Sequence, residues 1–226
     1  MRHMSRSVLI TGGTGGLGVA VVEEFLRDGW RVVVPYFAVG ELERLPEGVE
    51  TLEGDLTDPD DVARAVRVAS SEADTPLRAV ANLVGGFAAD QPVVDTPLAE
   101  FEKMFALNLR PTYLVTQCAL PRLAAAGGGA VVCVGAKSAL DPFPGASGYI
   151  ASKAAVIAFA RTVALEGAGD GVRCNAIMPS MIDTPANREA SPDAVDRMVP
   201  PERIARVIRF LCSDDAAALN GAVLPV

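Results

Sequence analysis

Residues 7–29 read SVLITGGTGGLGVAVVEEFLRDG. The opening SVLIT is apolar and partly β-branched, the pattern of a short buried strand. Across residues 17–28, Val21, Val22, Phe25 and Leu26 fall on one helical face, and Gly29 ends the run. Between strand and helix, Gly12, Gly16 and Gly18 have the spacing TGxxxGxG. Glycine lets the backbone turn sharply and come close to a pyrophosphate, whose charge then meets the helix N-terminus. An ordinary tight turn would also use glycine, but a glycine-rich loop that follows the first strand and opens a helix is the setting of a dinucleotide site. Gly12, Thr14, Gly16, Leu17 and Gly18 are therefore candidate cofactor-binding positions, for NAD or NADP. No Lys-Ser/Thr pair follows the last glycine, which disfavours a P-loop.

The same alternation continues along the chain. Strands are expected at 31–37, 49–53, 79–85, 130–136, 172–179 and 221–226. Helical patterns occupy 58–70, 97–123 and 149–165, with Pro111 a kink or a boundary in the second. Gly127 to Gly129 turn the chain. Strand–helix alternation of this kind implies a parallel sheet covered by helices on both faces. The fold class is α/β, a single-domain, Rossmann-like, doubly wound parallel sheet of about seven strands. No linker or repeat divides residues 1–226, and residues 1–5 read as a tail.

Half of the residues are hydrophobic, enough for a sizeable core. The net charge is −8 with no basic cluster, so a nucleic-acid partner is not expected. No stretch is expected to approach a membrane span. Cys118, Cys133, Cys174 and Cys212 lie far apart and read as free thiols of a reducing, cytoplasmic compartment, not as disulfides or metal ligands. The sole histidine is His3, so Ser-His-Asp catalysis and histidine metal sites are disfavoured and no metal is expected. Acid–base work falls to Tyr, Lys, Asp or Glu.

A dinucleotide fold often has Asp or Glu after the second strand to hold the ribose hydroxyls of NAD, or Arg to hold the phosphate of NADP. Here that strand leads into Pro35, Tyr36 and Phe37, and neither charge stands there. Modest discrimination between NADH and NADPH is the expectation, with Tyr36 at the position where an acid would sit. Asp55 and Leu56, after the third strand, are candidates to flank the adenine; the plainer use of Asp55 is to cap the next turn.

TGGTGGLG, GDLTD, NLVGG, LNL around Asn108, YIASK and PSMIDTP occur in this order over essentially the whole chain. Together they resemble the short-chain dehydrogenase/reductase family. The resemblance implies an NAD(P)-dependent oxidoreductase acting on a small molecule, with Asn82 and Gly85 lining the cofactor pocket. Asn108 would hold a water that relays protons to Lys153, and Tyr149 would be the general acid or base. Pro179, Ile182 and Thr184 would contact the nicotinamide end. Leu83, Val84 and Ser180 depart from the family's usual residues. The resemblance also implies a homodimer or homotetramer built on the helix of Tyr149, whose Ala151, Ala154, Ala155 and Ala158 form a small-residue face. It further implies that the polar segment 179–200 closes over substrate.

The chemistry of the pair supports this. Residues four apart share a helical face. A free tyrosine titrates near 10, and a neighbouring ammonium, with the charge of an oxidised nicotinamide, is expected to lower that value. Proton transfer by such a group is worth roughly 10²–10⁴ in rate. Lysine is otherwise present only at Lys103 and Lys137, the latter reading as an exposed loop residue.

In the family the polarising serine lies thirteen residues before the tyrosine, which here is Ala136. Ser138 is the nearest substitute; its plainer role is to satisfy a backbone group in the loop. GAKSALDPFPGASGYIASK, NLVGGFAAD and IDTPANR resemble segments of dihydropteridine reductase, a branch that also lacks this serine. That resemblance implies a quinonoid substrate, already electrophilic enough to need less polarisation. The rivals are ordinary ketone reduction using Ser138, an epimerase or dehydratase, and a non-catalytic NAD(P)-binding sensor or scaffold. Phe87, Phe143, Met181 and Met198 are candidate apolar walls of the substrate pocket.

Overall fold

A computed structural model describes residues 6–89 and 91–226. Seven strands form one parallel sheet: β1 (Ser7–Thr11), β2 (Arg31–Tyr36), β3 (Val49–Glu53), β4 (Leu77–Asn82), β5 (Gly129–Val134), β6 (Val172–Met178) and β7 (Val223–Pro225). Their order is β3-β2-β1-β4-β5-β6-β7. The helices are α1 (Gly16–Arg27), α2 (Pro59–Ala69), α3 (Leu98–Asn108), α4 (Arg110–Ala125), α5 (Ser147–Gly167), α6 (Pro185–Ala190) and α7 (Pro201–Cys212).

Side chains alternate across each strand. In β1, Leu9 faces a core shared with α2, α4 and α5, while Val8 and Ile10 face a second core shared with α1 and α7. Burial on both faces explains why β1 is apolar without polar alternation. The chain leaves β1 toward β2 and β3 and returns through β4 on the other side. The crevice at the carboxyl ends of β1 and β4 is therefore the topological switch point, where open α/β sheets bind ligands. Thr11 Oγ1 closes this point by accepting from Leu83 N at 3.0 Å and Val84 N at 3.3 Å.

Of the two readings of Pro111, kink or boundary, the structure takes the boundary. The helical run over 97–123 is two helices that meet at Leu109, with Pro111 in the first turn of α4, where its missing N–H costs nothing. The segment after β6 contains α6, capped by Thr184 through the amide of Asn187. One expectation changes: Ser147–Asp170 is, by length and composition alone, apolar enough to cross a membrane, where no such stretch was expected. In the fold this helix packs against α3, β5 and β6 and carries the buried Lys153.

Candidate active site

The glycine-rich loop is tightly wound. Gly12 has φ +66°, and its carbonyl accepts from Gly15 N at 3.1 Å. A Cβ at Gly18 would lie 2.0 Å from the Gly12 carbonyl oxygen, and one at Gly12 would lie 3.0 Å from Val84 N. These positions admit no side chain, so the loop backbone stays bare at the start of α1. That is the surface a pyrophosphate needs. A Cβ at Gly16 would strike the methyl group of Thr184 at 2.6 Å, so the segment after β6 rests directly on this loop. Leu17 is half-buried at the start of α1.

A second group gathers at the ends of β4 and β5. Gly85 is the hub: a Cβ there would lie 2.6 Å from Asn108 Oδ1 and 3.0 Å from Lys153 Nζ. Asn108 Oδ1 accepts from Gly86 N at 2.8 Å. Its Nδ2 donates to Ser152 Oγ at 3.0 Å, and that hydroxyl donates to Tyr149 O at 2.8 Å. Both polar ends of the Asn108 side chain are thus engaged within the protein. Ser152 was not anticipated, because its role depends on the packing of α3 against α5. Asn82 is buried; its Nδ2 donates to Thr116 Oγ1 at 2.9 Å, and its Oδ1 has no partner.

Lys153 Nζ donates to Val134 O at 3.0 Å. Only 6% of the residue is exposed, and this burial pushes its pKa down from 10.5 to about 8. Tyr149 is half-buried, and burial raises its phenol above the ordinary value of 10. The lowering expected from Lys153 is thus absent here; desolvation prevails. Phe87 packs edge-on to the Tyr149 ring at 4.9 Å, with Phe143 beyond it at 6.5 Å. A cavity of about 290 Å³ opens beside Tyr149, lined in part by Gln91, Thr96, Glu100 and Met104. Met181 and both phenylalanines are exposed and do not line this cavity, whereas Met198 is buried and is core packing.

Ala136 is buried at the position where the family's hydroxyl is expected. Ser138 lies in a 3-10 turn, Lys137–Ala139, and its hydroxyl is buried without any hydrogen-bond partner. It does not satisfy a backbone group, the plainer role considered for it. Lys137 is exposed and lies 3.9 Å from Asp141. Its amide donates to Pro179 O at 3.0 Å, tying this turn to the end of β6. Ile182 pairs with Val199 in an isolated bridge.

At the adenosine end, a cleft of about 370 Å³ is lined by Phe37, Glu53, Gly54, Asp55, Asp61 and Arg64. Asp55 accepts from both the amide and the hydroxyl of Thr57 at 2.8 Å, which lowers its pKa, so its carboxylate does cap a turn. Leu56 is a buried core residue, and Tyr36 is half-buried with its carbonyl bonded to Gly54 N. The residue missed at this end is Glu41. Its carboxylate accepts from Thr14 Oγ1 of the glycine-rich loop at 3.0 Å. The signal was available in the spacing, because a ribose-binding acid commonly lies about 20 residues beyond the loop.

A bare glycine loop at the switch point and a Tyr/Lys pair beside it define a nicotinamide-dependent oxidoreductase, and comparison with known proteins agrees. The enoyl-(acyl carrier protein) reductase family profile matches residues 12–226. The chain belongs to the short-chain dehydrogenase/reductase family, and it is an NAD(P)-dependent enzyme of that family. It is 32% identical to 2-(R)-hydroxypropyl-CoM dehydrogenase of Xanthobacter autotrophicus, over 98% of this chain and 96% of that protein. It is 33% identical to the 3-oxoacyl-[acyl-carrier-protein] reductase MabA of Mycobacterium tuberculosis, over 99% and 92%. Among solved structures, ElxO with NADP bound matches with a TM-score of 0.91 at 26% identity, covering 99% of this chain and 97% of that one.

Proposed function

We propose that this enzyme transfers hydride between a nicotinamide cofactor and a small carbonyl or quinonoid, dihydropteridine-like compound, with Tyr149 as the acid or base. The observation that carries this reading is the convergence of Lys153 and Asn108 on Gly85, with Tyr149 one turn before Lys153 on α5 and lining an open cavity. Gly12, Gly16 and Gly18 would hold the cofactor's pyrophosphate, with Thr184 and Ile182 toward its other end. A bound nicotinamide supplies or accepts the hydride. The raised pKa of Tyr149 keeps the phenol protonated at neutral pH, ready to donate to the oxygen or nitrogen that gains negative charge during reduction. Lys153, titrating at about 8, is mostly charged at pH 7 and stabilises the phenolate left behind. The Asn108–Ser152 contacts hold the first turns of α5 against α3 and so fix the donor's position.

The quinonoid form of the reading rests on the missing hydroxyl at Ala136. A carbonyl form has its own support. The buried hydroxyl of Ser138 has no partner, a state that costs about 1–3 kcal/mol and that a substrate oxygen would relieve. The relatives named above are also alcohol or carbonyl enzymes by name. Turnover of Ser138→Ala with a quinonoid dihydropterin and with a ketone separates the two. A loss well under tenfold, about 1.4 kcal/mol, on the better substrate is expected if no serine is needed. A loss of about a hundredfold, 2.7 kcal/mol, with a ketone would make Ser138 the polarising group and replace the quinonoid reading.

A further inference from the structure

Resting on the reading of Tyr149 as proton donor, we infer that Glu100 selects the substrate: the cavity takes compounds that present an N–H donor, an amine or an amino-substituted ring, over compounds that carry an acid. Glu100 is the third residue of α3, and it lines the cavity of about 290 Å³ together with Tyr149. A glutamate at this helical position ordinarily reaches back to the N–H of the capping residue. Here the cap is Pro97, which has no N–H to offer. The usual structural task of the carboxylate is thus withdrawn, and the group is left to the cavity. Its one side-chain partner among the described residues is the exposed Lys103, 3.4 Å from Oε2 and one turn further along α3. An ion pair of this kind in solvent is worth little, so Lys103 does not cancel the charge. Among the described residues, Oε1 accepts no bond.

The rest of the lining has the same sense. Among the described residues that line the cavity, Glu100 is the one charged side chain, and no Lys, Arg or His stands with it. Thr96 spends its hydroxyl proton on the carbonyls of Gln91 at 3.2 Å and Pro92 at 3.0 Å, so toward the cavity it can only accept. The floor is apolar, with Met104 buried and Phe101 half-buried. There α5 lies so close to α3 that a Cβ at Gly148 would stand 3.1 Å from Phe101 Cα. A substrate ring on this floor meets Tyr149 and Glu100 in one cavity. The opposing influence comes from the N-termini of α3 and α5, which open here and each carry about half a positive charge. Glu100 prevails because it is a full charge on a side chain that meets a ligand directly, whereas the partial charge of a helix end falls off within its first turn.

The test compares aryl ketones alike except for one ring substituent: a protonated aminomethyl group, a carboxylate or a methyl group. Turnover by the full-length protein with its nicotinamide cofactor is measured for the wild type, Glu100→Gln, Glu102→Gln and Lys103→Ala. Glu102 is exposed on the same helix and does not line the cavity, so its variant changes the net charge alone. In the wild type, kcat/KM for the amine should exceed that for the acid by about tenfold, a few-fold from attraction and a few-fold from repulsion at a partly exposed group. Glu100→Gln should bring the two within about threefold, mainly through KM, while Glu102→Gln and Lys103→Ala keep the wild-type order. Thermal shifts with benzamidinium, 2-aminopyrimidine and benzoate follow binding without turnover and separate a cationic donor from a neutral one. Wild-type preference for the acid overturns the inference, and so does an unchanged ratio in a folded Glu100→Gln. A preference for the acid that vanishes in Lys103→Ala names Lys103 as the reader instead, and one that survives there assigns recognition to the helix ends. If no ketone is turned over, yet benzamidinium binds more tightly than benzoate and Glu100→Gln removes that order, the Glu100 site stands and the hydride-transfer reading falls.

Discussion

Lys153 places a cationic group where water cannot reach it, with a single carbonyl for company. Burial lowers its pKa to about 8 in the folded chain, against about 10.5 when unfolded. Below pH 8 both states are charged and the buried charge costs stability. Between 8 and 10.5 the unfolded chain binds more protons, so this residue's contribution to stability rises with pH across that window. The buried thiols Cys174 and Cys212, whose pKa values are raised, pull the other way. A comparison with Lys153→Met isolates the lysine. Denaturant midpoints at pH 7.5 and 9.5 should show the variant's stability advantage shrinking by about 1–3 kcal/mol as pH rises. An advantage independent of pH would mean that Lys153 is not desolvated. The residue serves function at the expense of the fold, as groups with displaced pKa values at active sites do.

At the scale of elements, the buried parallel strands were the most legible part of the chain. Such strands are apolar without interruption, and β1 falls where the residue pattern places it, as does the more exposed edge strand β3. The break between α3 and α4 was marked by Pro111, which fits the first turn of a helix, although Pro121 sits inside α4 without ending it. The loop glycines were legible because steric exclusion at Gly12 and Gly18 leaves no alternative residue. The remaining site features depend on contacts between distant segments. Glu41 reaches Thr14 across 27 residues, and Asn108 reaches Ser152 across 44. No local pattern encodes such contacts, although the place of an acid after β2 was readable from its spacing. Met198 was misplaced for a related reason: an apolar residue in a polar segment suits a pocket wall and a buried anchor equally well, and only packing decides. Thr184 carried a readable helix-start signature, Thr-Pro, whose capping use was eclipsed by its place in the family motif.

For the whole molecule, the outer surface of α4 and α5 points to assembly. Ala154 and Ala158 are exposed there and Ala151 and Ala155 half-buried. Tyr113 of α4 lies against Phe159 of α5 at 5.8 Å while remaining 44% exposed, and Leu165 is 82% exposed. Small residues flanked by exposed aromatic and aliphatic side chains allow two such surfaces to approach closely. A homodimer or homotetramer is expected by light scattering at micromolar concentration, with a buried area above about 1,200 Å². A monomer there would contradict it. The central claim is that Tyr149, with Lys153 and Asn108 behind it at Gly85, serves proton-coupled hydride transfer as the proton donor. Its most direct test is Tyr149→Phe, measured for turnover and for cofactor affinity in the same preparation. The ring and its packing against Phe87 are kept, and only the hydroxyl is lost. Turnover should fall by about a hundredfold or more, within the range of a removed general acid, while NADH affinity changes by no more than a few-fold. Turnover within about threefold of the wild type, a difference under 0.7 kcal/mol, would contradict the assignment.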